Sequence, residues 1–168
     1  CFVVVPAMGV LLAADYVLPV LGPGTLARTD LVGAHVTLAV FGAVLATVVG
    51  ALYQLATMFT GTELRGVDVP LQRLETVAYP AGVVALAAGR LFDVVAVARL
   101  GAALVLFGLA AVGAVLAHRL LASTVRPSAM HRRYAVVAVA LLTWVAWTAP
   151  AWLADPAANL GLSLAQAE

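Results

Sequence analysis

The sequence predicts an all-α protein: a polytopic transmembrane helical bundle of about five membrane-spanning helices, forming a single domain over residues 1–168. Three observations predict it. Hydrophobic residues make up 64% of the chain and charged residues 10%, against about 45–50% and 25% in a soluble domain. The stretch from Leu31 to Thr62 carries no Asp, Glu, Lys or Arg. It outruns the roughly 20 residues that a helix rising about 1.5 Å per residue needs to cross a hydrocarbon core about 30 Å thick. Short connections rich in breaking residues separate the apolar segments, and no polar segment is long enough for a second domain.

The first helix is expected over about 1–21, with Asp15 and Pro19 in its second half. The second, over about 31–59, is the cleanest. The third, over about 74–95, is interrupted by Arg90 and Asp93. It opens with Glu75, expected to pair with Arg73 or Arg65, and holds Pro80 in its first turns, where proline is tolerated or kinks the helix. The fourth covers about 98–121. The fifth, about 134–153, lies in a stretch free of charge from Tyr134 to Ala154. Gly22-Pro23-Gly24, the segment from Gly61 to Pro70, and Arg126-Pro127-Ser128 supply the turns.

Arginine placement predicts orientation, because short cytoplasmic loops retain positive charge. Arg65, Arg73, Arg119, Arg126, Arg132 and Arg133 fall on one side, and Arg28, Arg90 and Arg99 on the other. This predicts a multi-pass protein of the cell membrane with its N-terminus cytoplasmic and its C-terminus outside. His35 then stands at the outer end of the second helix. His118 and His131 stand at the inner surface, too far away to share a metal with His35. His118-Arg119 and His131-Arg132-Arg133 read as a basic anchor for anionic lipid headgroups. Trp152 suits an outer interfacial belt, whereas Trp144 and Trp147 lie deeper, as packing residues.

The net charge of +1 is too small to suggest a nucleic-acid partner, and none is expected. Cys1 is the one cysteine, so neither an internal disulfide nor a CxxC metal motif can form. A cysteine in place of an initiating Met points to a processed or longer chain. Nucleotide-binding glycine loops, HExxH and GxSxG are missing from the sequence, and catalysis by this chain alone is not expected. The expected partners are the lipid bilayer and either further copies of the chain, as a homo-oligomer, or a larger membrane complex.

Steps of three and four residues along the second helix join His35, Ala39, Gly42, Ala46, Gly50 and Tyr53 on one predicted face. Such a ladder of small residues packs helices closely. The same groove also suits a flat cofactor, with His35 as an axial ligand of haem iron, the metal in question. Asp15, Arg90 and Asp93 are the charges inside apolar segments, where a charge points to function by default. Arg90 and Asp93, three apart, are expected to pair, and Asp15 to pair with Arg28 or Arg90.

Gly33-Ala34-His35-Val36, followed by Phe41, Gly50, Tyr53 and Gly61, resembles the second helix of haem-copper oxidase subunit I and its nitric-oxide-reductase relatives. In that family the helix starts on the outer side with a histidine that ligates the low-spin haem. The resemblance implies haem binding or electron transfer through His35, with Gly42, Gly50 and Tyr53 lining the cofactor. The family commonly has Gly where Val36 stands here. With about twelve helices and several more histidines in the family's subunit, the resemblance implies a reduced relative without the binuclear oxygen-reducing centre. The alternatives are a cofactor-free membrane assembly subunit, or a small transporter with Asp15, Arg90 and Asp93 along its path.

Overall fold

The computed structural model describes residues 2–18 and 28–156, and every regular element among them is helical. Five helices follow one another: α1 (Val4–Val17), α2 (Arg28–Thr60), α3 (Asp68–Leu91), α4 (Val95–Leu121) and α5 (Ala129–Ala154). α2, α4 and α5 are long and apolar enough to cross a membrane, while α1 is apolar but short. α3 carries Asp68, Arg73, Glu75 and Arg90. Cys1, Pro19 and the Gly22-Pro23-Gly24 turn lie outside the described residues.

The largest difference from the sequence expectation is in α3, which runs over Asp68–Leu91 rather than about 74–95. Its first turns are polar in composition yet helical, because Asp68 and Glu75 turn inward and are buried. Pro80 therefore lies in mid-helix, on the exposed side. The other end stops earlier because Asp93 adopts a left-handed conformation (φ 54°), which a non-glycine residue enters only at a turn. α5 starts at Ala129, ahead of the expected position, because Ser128 and His131 form a capping box over its first turn. Gly61 ends α2 with φ 62°, the left-handed cap that glycine takes without a Cβ penalty.

α3 and α4 form the core hairpin. Gly82 and Gly89 on α3, and Gly101 and Gly108 on α4, each lie seven residues apart. A Cβ at Gly101 would collide with the backbone of Leu86, and one at Gly89 with the backbone of Ala98. At Gly108 it would stand 2.7 Å from Tyr79 Cβ. The two backbones therefore touch, and the gain is dispersion contact along the whole seam. Leu86, Val105, Leu109, Val112 and Leu116 are fully buried here. α5 packs on α4 where Gly113 receives Leu142. The first half of α2 lies along α3, its second half leans toward α4 and α5, and α1 rests on α2.

α2 is not α-helical throughout. Leu38–Leu45 is a π-helix, whose i→i+5 hydrogen bonds place extra residues in each turn. Thr37 and Thr47 flank it, their hydroxyls bonding back to Gly33 O (2.7 Å) and Ala43 O (2.8 Å). From α3, the Tyr79 hydroxyl donates to Phe41 O at 2.7 Å, and a side chain inserted into the ladder is a recognised cause of such a break. The residues before and after this segment are rotated relative to a continuous α-helix. His35, Gly42, Gly50 and Tyr53 consequently do not share the predicted face. Gly50 is exposed, with open space where a Cβ would stand. Tyr53 is buried in the core.

Candidate functional site

His35 lies near the start of α2, half-buried, and faces Gly9 of α1, where a Cβ would come 3.4 Å from His35 Cε1. Its Nδ1 is buried and has no hydrogen-bond partner among the described residues. A neutral imidazole with an unsatisfied buried nitrogen is a free donor or acceptor, and a ligand-capable group. Gly42 is half-buried further along the helix, whereas Gly50 opens away from the protein. His35 therefore stands without the glycine groove that the sequence suggested. Among the described residues no cluster of three or more His, Cys, Asp or Glu side chains could hold a metal.

The other predicted charges gather near the same end. Arg28 lies 3.6 Å from the Asp15 carboxylate and stacks over the Tyr16 ring, 3.7 Å from its centroid. Arg90 is buried. It donates from Nε to Pro156 O (2.8 Å) and from Nη1 to Thr37 Oγ1 (2.7 Å). The expected helical pair of Arg90 with Asp93 is replaced by these bonds, because Asp93 has left the helix. Both still line one cavity of about 230 Å³ with Asp30 and Asp155. Arg99 donates to Ala154 O at 3.0 Å, so two arginines tie the end of α5 to the α3–α4 hairpin. Trp152 is fully buried against Phe41 and Trp144, with ring centroids 5.4 and 5.6 Å away. It is a core residue rather than part of an interfacial belt. Trp147, expected to pack, is exposed.

At the opposite end the structure assembles a polar network. Asp68 is 2% exposed. One carboxylate oxygen meets His118 Nδ1 at 2.8 Å and the other meets Arg119 Nη2 at 2.5 Å. Arg119 also donates to Glu63 O at 2.6 Å. His131 contacts Ser123 Oγ through Nε2 (2.9 Å) and Ser128 Oγ through Nδ1 (3.0 Å). Ser123 in turn donates to Thr60 O. His118, Arg119 and His131 thus bind protein groups instead of serving only as a lipid anchor, whereas Arg132 and Arg133 are exposed. Asp68 escaped the sequence reading. The signal was His118-Arg119 closing an apolar helix that carries no acidic residue, which calls for a buried acid as counterpart.

Glu75 is also buried, but it does not pair with Arg73 or Arg65. Arg65 bonds to Glu63 at 3.1 Å. The Glu75 carboxyl faces the Tyr53 hydroxyl without closing a well-formed hydrogen bond.

In comparison with known proteins, no family model, curated protein or solved structure matches the chain.

Proposed function

We propose that the chain is a multi-pass protein of the cell membrane, with the Asp68 end cytoplasmic, and that His35 is an axial haem ligand within it. The buried, unpartnered Nδ1 of His35 beside Gly9 is the observation that carries this reading. α2, α4 and α5, each able to cross a bilayer by length and composition, support the membrane assignment. Haem, when bound, supplies one-electron redox chemistry. The chain's part would be to present the imidazole and to fix its ring through whichever nitrogen stays off the iron. On this reading the site lies at the α1–α2 contact, where His35 faces Gly9, rather than along Gly42, Gly50 and Tyr53. A homo-oligomer or a larger membrane complex completes the cofactor's surroundings.

The test is absorption of the detergent-purified protein from haem-supplied cells, oxidised and dithionite-reduced. A Soret band that disappears in His35→Ala supports ligation by His35. A featureless spectrum from folded protein sinks the haem reading. The small-transporter reading then leads, supported by the cavity that Arg90, Asp30, Asp93 and Asp155 line.

A further inference from the structure

We propose that Glu75, with the Tyr53 hydroxyl beside it, is a proton-binding site inside the bundle. The comparison with Asp68 carries the inference. Both carboxyls project from α3, seven residues apart, and both are nearly fully buried, at 2% exposure for Asp68 and 4% for Glu75. Asp68 has Arg119 and His118. Glu75 has no ion pair among the described residues, and the group that faces it is a neutral phenol. A buried charge is expensive unless paired, and a carboxyl meets that constraint without a cation only by carrying its own proton.

The helix geometry creates the niche. α2 lies along α3 in its first half and leans away toward α4 in its second. Tyr53, on that second half, is buried with its hydroxyl facing Glu75. The ionisable groups around the pair are few. Tyr53 comes from α2. Tyr79 lies one turn beyond Glu75 on α3, its hydroxyl committed to Phe41 O. Asp68 lies two turns before it. His118 and Arg119 of α4 are both engaged by Asp68. From α5, Tyr134 packs at a tilt against Phe59. At about 1.5 Å per residue, Glu75 is about 10 Å along the helix from Asp68, too far for the Asp68 ion pair to neutralise it by direct contact.

The probe is dicyclohexylcarbodiimide, an apolar reagent that adds to protonated carboxyls. The acid proton passes to a carbodiimide nitrogen while the carboxyl oxygen bonds to the central carbon. The acyl group then shifts to nitrogen, leaving a stable acylurea with nothing expelled, oxidised or reduced. The intact protein in detergent is treated at neutral pH and mapped by peptide mass spectrometry, so Asp68 serves as the control in the same molecule. Glu75 is expected to be labelled at least about tenfold more than Asp68. The label should decline as pH is raised, and it should vanish in Glu75→Gln. Tyr53→Phe should move the pH at which labelling is halved. Labelling of Glu75 no greater than that of Asp68 in folded protein overturns the proposal, and an unmoved midpoint in Tyr53→Phe removes Tyr53 from the site. Haem plays no part in this readout, so it stands or falls separately from His35.

Discussion

Where α3 meets α4, glycines remove side chains so that two backbones touch. Where α1 meets α2, Gly9 removes a side chain and an imidazole occupies the space. The first contact is saturated: Gly82, Gly89, Gly101 and Gly108 leave no gap, and the neighbouring leucines and valines are fully buried. The second is open. α1 has no fully buried residue, and His35 keeps a buried nitrogen without a partner. The difference separates a seam where backbone meets backbone from one where a polar ring fills the space.

Substitutions can break this contrast in graded steps. Gly101→Leu should have the largest effect. Its side chain would be driven into the backbone at Leu86, beyond the roughly 3 kcal/mol that ordinary overpacking costs. No folded protein should accumulate in detergent, and a normal circular-dichroism melt would refute the close seam. Arg119→Ala comes next, leaving buried Asp68 with His118 alone against it, at a cost of about 3 kcal/mol. Replacing the pair together, Asp68→Leu with Arg119→Met, should recover most of that loss in equilibrium unfolding. Tyr79→Phe removes the bond to Phe41 O and should cost about 1 kcal/mol. Hydrogen exchange at Leu38–Leu45 should rise with it, and unchanged exchange there would mean that Tyr79 does not hold the π segment. Gly9→Ala is the mildest, within about 0.5 kcal/mol, since its Cβ makes only ordinary contact. A large loss of stability there would show that α1 is packed as tightly as the hairpin.

The helices α2, α4 and α5 were legible because an uncharged apolar run long enough to cross a bilayer is costly to keep in water. Asp15 and Arg28 were legible as partners, being charges close together in the chain. The first turns of α3 were not, because Asp68, Arg73 and Glu75 look like loop residues to a hydropathy reading. What buries Asp68 is Arg119, an α4 residue remote in sequence. The π segment was equally hidden. Nothing in Leu38–Leu45 marks it, and the group that bonds into it is Tyr79 on another helix. His35 was legible as the single histidine on an apolar helix. The glycine face drawn through it failed because its phase assumed a uniform turn.

α2 has one more consequence, which comes from its length alone. Its 33 residues would extend about 50 Å as a regular helix, against a hydrocarbon layer of about 30 Å. Transmembrane helices lean by about 20° on average and rarely beyond about 40°, and no inclination in that range hides the excess. In a bilayer, then, α2 projects beyond the lipid tails at one end or both. How much of it would project depends on the thickness of the membrane, and its polar start, Arg28 to Asp30, is the end suited to leave the lipid tails.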